Sequence, residues 1–177
     1  MPASFNRESA LGKALVDWWN DLNDDRDRGG RAILRRASSI TAIVMSRPYQ
    51  RLHRRLRSVG WRSKDSSDRN DYLAAAVGLL AHVRNDDRRP FPQAASGESG
   101  GSSAEVSERV PVSELRFVRL LESPDLDALF AGLRRVLPLI DHSVDIVEFA
   151  NDIVHWDDND TVKKRWAYGY RWPDKSQ

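Results

Sequence analysis

The side chains with the most chemistry to offer are arginines at helical spacing. Arg51, Arg54 and Arg55 fall on adjacent turns of one segment, where Cβ atoms three or four residues apart are about 5–6 Å apart. Phosphates recur about every 3.4 Å along one DNA strand, so long side chains at that spacing can follow a sugar–phosphate backbone. Guanidinium suits the task because its planar fork meets phosphate with two hydrogen bonds at once. Arg31, Arg35 and Arg36 form a second group, Arg116 and Arg119 a third, and Arg134 and Arg135 a neighbouring pair. Lys163, Lys164 and Arg165 stand beside Trp166, Tyr168 and Tyr170. Charge interleaved with rings can hold single strands by attraction and stacking. The competing role for those rings, and for Trp18 and Trp19, is core or subunit interface.

Catalytic and metal patterns do not survive inspection. Gly97-Glu98-Ser99-Gly100-Gly101 spells G-x-S-x-G, but a nucleophile elbow needs a strand before the serine and a helix after it, and neither is expected here. Asp21-Leu22-Asn23-Asp24-Asp25 starts like a calcium loop, yet Arg26 stands where the turn needs glycine and Ala32 where it needs a bidentate Glu. In His155-Trp156-Asp157-Asp158-Asn159-Asp160 the acids are nearly consecutive, so a helix or strand would splay them, and capping is the expected role. His53, His82, His142 and His155 have no paired zinc spacing. The absence of cysteine excludes disulfides, zinc–thiolate sites and thiol catalysis. No cofactor, no metal and no enzymatic activity are expected.

What remains is charge, and it is unevenly placed. The chain has 177 residues, 40% apolar and 31% charged, with a net charge of +2. From Arg26 to Lys64 there are twelve Lys/Arg, and the only acid is Asp27. That window is therefore +11 and the rest of the chain −9. A near-neutral protein with one strongly basic segment points to a polyanion partner. Met1 to Arg7 carries no apolar signal core, and the longest uncharged run, Tyr72 to Val83, is too short to span a bilayer. A cytoplasmic protein with no membrane partner is expected.

The elements that must position these groups read as helices throughout. Leu11, Ala14, Leu15, Trp18, Trp19 and Leu22 recur at helical spacing. After Gly29-Gly30, a short helix over Arg31 to Ala37 would turn Ile33 and Leu34 inward. Ser38 or Ser39 can cap a turn from Ile40 to Met45. Ser46-Arg47-Pro48 opens a helix that stops at Gly60. Its Tyr49, Leu52, Leu56 and Val59 share one arc, with Arg47, Arg51, Arg54, Arg55 and Arg57 opposite. A long helix from about Asn70 to Arg84 would bury Tyr72, Leu73, Ala76, Val77, Leu80 and Val83. Ser113 caps a helix carrying Leu115, Val118 and Leu121. Leu126, Leu129, Phe130, Leu133 and Leu137 form the next, ended by Pro138. Val144 to Val154 and a last helix from Asn159 or Asp160 complete the chain. No strand alternation appears. The expected fold is all-α, with about seven or eight helices in two lobes: residues 1–87 with the basic surface, a flexible Pro/Gly/Ser-rich linker over 88–111, and residues 112–177.

Leu15-Val16-Asp17-Trp18-Trp19, the run from Gly30 to Ala37, the run from Ser113 to Leu121, Leu133-Arg134-Arg135-Val136-Leu137 and the run from Val162 to Tyr170 occur in an order that spans nearly the whole chain. Together they resemble the small subunit of the type I-E CRISPR surveillance complex, Cascade (the CasB family). The Ser/Gly insert at 96–103 departs from the pattern. The resemblance implies an all-α subunit without catalytic activity. It implies two copies side by side, touching crRNA-bound backbone subunits and the large subunit. It also implies a basic surface that steadies target DNA and the displaced strand, with contacts independent of sequence. Two other readings of the basic helices stay open, a helical DNA-binding regulator and a basic helical adaptor for an acidic protein.

Overall fold

The computed structural model describes residues 3–62, 67–98 and 110–174, with backbone alone at 67 and 68. Lys64 and most of the Ser/Gly-rich stretch expected to be a flexible linker lie outside the described residues. Within them the chain forms ten α-helices: α1 (Ala10–Asn23), α2 (Arg28–Arg36), α3 (Ile40–Val44), α4 (Arg47–Ser58), α5 (Ser67–Leu80), α6 (Phe91–Ser96), α7 (Glu114–Leu121), α8 (Leu126–Val136), α9 (Ile146–Val154) and α10 (Thr161–Gly169). The fold is all-α. Its one extended pairing is two residues long, Asn85–Asp86 beside Ser143–Val144 in parallel.

Local chemistry sets most helix starts. Side-chain oxygens of Ser9, Asp27, Ser39, Ser46, Ser113, Asp125 and Asp145 accept backbone N–H groups of the first turns of α1, α2, α3, α4, α7, α8 and α9. α4 ends where Gly60 takes φ 115°, a conformation that strains any residue with a Cβ. Pro138 has no N–H to continue α8, and the chain goes on as a 3-10 turn, Leu137–Ile140.

Packing departs from the sequence pattern in several places, and Val59, expected on the core arc of α4, is 37% exposed at its C-terminal end. α5 is not amphipathic: Leu73 to Ala81 are buried on every side, including Ala74, Ala75 and Leu79, which the expected stripe left out. Small residues make this possible. A Cβ on Gly78 would come within 2.3 Å of Ile43 from α3 and 3.1 Å of Phe130 from α8. In α2 only Leu34 of the expected pair turns inward, and Ile33 is 46% exposed. In α7 the larger Phe117, with Leu120, takes the core, leaving Leu115 60% exposed. The stretch from 91 to 96, expected as linker, is helix α6, because Phe91, Ala94 and Ala95 gain full burial there.

One buried cluster joins residues from both sides of the Ser/Gly stretch. α5 packs against α2, α3, α8 and α9, while α4 lies against α1, α2 and α3. Arg7 ties the ends together, donating to Asp86 at 2.6 and 2.8 Å and to Asp145 at 2.8 Å. The bond to Asp86 raises the Arg7 pKa above its ordinary value, with Asp145 adding to it and burial opposing. Near the C-terminus, Trp166 packs 4.4 Å from Phe91 and 4.9 Å from Trp156, centroid to centroid. Its indole donates to Asp152 at 2.7 Å. Asp152 is 1% exposed, and burial pushes its carboxyl up although Trp166 and Arg165 donate to it. Among the described residues no helix is long and apolar enough to cross a membrane.

Trp166→Ala removes three ring contacts and a buried donor at once. It should cost about 3–5 kcal/mol of stability in urea denaturation, whereas Lys164→Ala, fully on the surface, should stay within about 0.5 kcal/mol.

Candidate nucleic-acid interface

The basic window does not fold into one uniform surface, because carboxylates absent from its sequence reach it through space. Arg26 sits 3.3 Å from Asp24 and 3.6 Å from Asp21, and Arg28 lies 2.6 Å from Asp25. Arg55 meets Asp17 of α1 at 3.4 Å, with both side chains largely in water. Screening leaves such a pair little strength. Arg47, Arg51, Arg54, Arg57 and Arg62 are exposed and form no ion pair among the described residues. The amphipathic pattern of α4 produces this, since Tyr49, Leu52 and Leu56 anchor its opposite side in the core.

Two grooves flank that ridge. One, of about 410 Å³, is lined by Trp18, Asp21, Arg26, Asp27, Pro48, Arg51, Leu52 and Arg55, so its charge is mixed. The other, of about 460 Å³, is lined by Gln50, His53, Arg54, Arg57, Ser58 and Arg62. Among the described residues it has three guanidinium groups and no carboxylate. Arg57 and Arg62 therefore join the site. The sequence placed Arg57 on the outward side of the same helix, whereas the signal for Arg62 was only membership of the acid-poor window.

A third groove, of about 380 Å³, runs between α7 and α8. It brings together Arg116, Arg119 and Arg135, which the sequence could only group as separate pairs. All three are exposed, and Leu120, Ala128, Gly132, Val136 and Leu139 supply an apolar lining.

Arg134, the fourth of those arginines, is engaged elsewhere. Its guanidinium donates to the carbonyl oxygens of Ala37 at 3.0 Å and Arg35 at 2.8 Å, closing the C-terminal end of α2. Of the α2 group, Arg36 is exposed, while Arg31 and Arg35 are half-buried. Lys163 is paired with Asp160 at 3.0 Å and lies 5.9 Å from the Trp156 ring centre. Lys164 is exposed. Trp166 and Tyr170 beside them are core, as are Trp18 and Trp19, and only Tyr168 is in solvent, at 92% exposure.

The acidic turn at 155–160 is held by its own neighbours. His155 Nδ1 lies 2.7 Å from Asp158, to which Arg69 also donates at 3.1 Å. Burial by itself would push the Asp158 carboxyl up, but the hydrogen bonds and charges of His155 and Arg69 together hold it below its usual range. Among the described residues no group of three His, Cys, Asp or Glu could hold a metal ion. Ser99 to Gly101 of the G-x-S-x-G spelling lie outside the described residues.

A family model described as the CRISPR-associated protein Cse2 matches residues 30–170. No curated protein and no solved structure matches the chain.

The two neighbouring arginines of α8 should separate cleanly on mutation. Arg134→Gln gives up two charge-assisted bonds to backbone carbonyls and should lower stability by about 1.5–3 kcal/mol in thermal melts. Arg135→Gln, at an exposed position, should change it by less than about 0.5 kcal/mol.

Proposed function

Because this chain belongs to the family of the CRISPR-associated protein Cse2, the small subunit of the type I-E Cascade complex, we propose that it acts there without catalysis, as a clamp on nucleic-acid backbones. The observation that carries this reading is the groove lined by Arg54, Arg57 and Arg62, with no carboxylate in its wall among the described residues. Unpaired guanidinium groups at turn spacing offer a strand several bidentate contacts at once. The α7–α8 groove, with Arg116, Arg119 and Arg135 around apolar side chains, offers a second track where bases as well as phosphates can rest.

The energetic role follows from the near balance of strand exchange. A guide–target heteroduplex is about as stable as the DNA duplex it replaces, so contacts to the backbones can tip the equilibrium. Such contacts must ignore sequence, because they act on phosphates rather than base edges. A helix whose outward side is mostly arginine suits this better than base reading. The proposed partners are the target strand and the displaced strand, the crRNA-bound backbone subunits, the large subunit and a second copy of this chain. The exposed Arg36 and Lys164 extend the basic surface toward either kind of partner.

Arg51→Glu, Arg54→Glu and Arg57→Glu combined should weaken binding of single- and double-stranded DNA by about two orders of magnitude at roughly 0.1 M salt. The slope of log affinity against log salt should fall by about 2–3. Circular dichroism should show unchanged helicity, since all three side chains are outside the core. Unaltered affinity would overturn the reading. Strong preference among unrelated sequences would favour a regulator, and co-purification with a single acidic protein would favour an adaptor.

A further inference from the structure

We propose that the cluster of cationic side chains where α2, the chain following α5, α8 and the turn before Ser143 meet is a binding site for a single phosphate-type oxyanion, held by Arg31, Arg35, Arg84 and His82. This site is separate from the α4 ridge and does not rest on the reading of that ridge.

Four segments bring positive or potentially positive groups together here. Arg31 and Arg35 stand one turn apart on α2. Arg134 reaches over from α8 to the Arg35 carbonyl at 2.8 Å. His82 and Arg84 follow α5. His142 closes the set, its Nδ1 lying 2.9 Å from the His82 carbonyl oxygen. The backbone N–H of Arg84 donates to the His142 carbonyl at 2.8 Å, so the last two segments are stitched together. A ridge on one helix suits an extended chain of phosphates. Groups gathered from four segments suit one localised charge.

Among the described residues no ion pair neutralises Arg31, Arg35 or Arg84. The only carboxylate acting on Arg31 is Asp25, which is itself engaged by Arg28 at 2.6 Å. The Asp27 carboxylate accepts the Gly30 N–H at 2.9 Å. Two donor-capable atoms, Arg31 Nε and His82 Nε2, are buried without a hydrogen-bond partner among the described residues. Unsatisfied buried polar atoms are rare and call for an explanation. The electrostatics agree with the geometry. Burial, then Arg35 and Arg84, pull the Arg31 guanidinium below its ordinary pKa. Burial, then Arg134, Arg35, His142 and Arg31, hold His82 down at about 4. A phosphate-type oxyanion answers each feature. It supplies acceptor oxygens to the two buried atoms, offsets the crowded guanidinium charges and allows His82 to hold a proton. A metal cation would meet only repulsion.

The same chemistry is offered by a strand's phosphodiester and by free phosphate, and histidine NMR on the full chain distinguishes them. His82→Gln assigns the resonance. Addition of sodium phosphate should raise the His82 pKa by about one pH unit relative to sodium chloride at equal ionic strength. The same rise with a short oligothymidylate would make a strand phosphate the ligand. A rise with inorganic phosphate alone would make it a free anion. Arg31→Gln should abolish the response, and in low-salt buffer it should melt no lower than the parent, because it removes a repelled charge. The triple α4 variant should keep the response whether or not the ridge binds DNA. A His82 pKa unmoved by both ligands, or a full response in Arg31→Gln, would overturn the proposal.

Discussion

The fold depends on one helix with no wet side. From Leu73 to Ala81, α5 is closed off by neighbours on every face. A helix apolar all round is stable only when surrounded. Three alanines in a row and Gly78 keep it thin enough for α3 and α8 to approach closely together. α2 and α9 complete the enclosure. The rest of the chain is placed relative to this axle, whose buried stretch from Leu73 to Leu80 carries no charged side chain.

That constraint sorts the arginines into distinct fates. Those on the outward side of α4 and around the α7–α8 groove stay in water, where long flexible side chains lose little by remaining unpaired. A few become structural. Arg7 joins the N-terminal segment to Asp86 and Asp145. Arg165 bonds to buried Asp152, and Arg134 closes the end of α2. Arg31 and Arg35 belong to neither class, being half-buried and forming no ion pair among the described residues. Clusters of unanswered positive charge weaken a fold, and so mark places where an outside anion restores the balance.

The two proposed binding surfaces follow from different geometry. On α4 the positive groups come from one helix at regular intervals, so the surface runs as a line and its groove has positive walls. Between α7 and α8 the arginines come from two helices and border apolar side chains. A line of charge favours a backbone. A bordered apolar groove also accommodates flat bases, whose faces stack or pack without regard to identity. Both arrangements suit the sequence-tolerant contact proposed above, in which specificity is left to base pairing.

Much of this was legible in the sequence. Helical spacing gave the class, Ser46-Arg47-Pro48 and Gly60 bounded α4, and the same 3.6-residue period put its arginines opposite its core side. These are local properties, decided by a residue and its neighbours within a turn or two. What the sequence could not decide was everything set between distant segments. It could not tell that Ile33 would stay outside while Leu34 was buried, that Leu115 would lose its place to Phe117, or that Phe91 would draw residues 91–96 into a buried helix. It could not show that Asp17 would face Arg55, that Arg134 would turn to the end of α2 while Arg135 stayed out, or that His82 would meet four positive neighbours. Burial and charge depend on which surfaces meet, and residues nearly a hundred positions apart meet only once the chain has closed around α5.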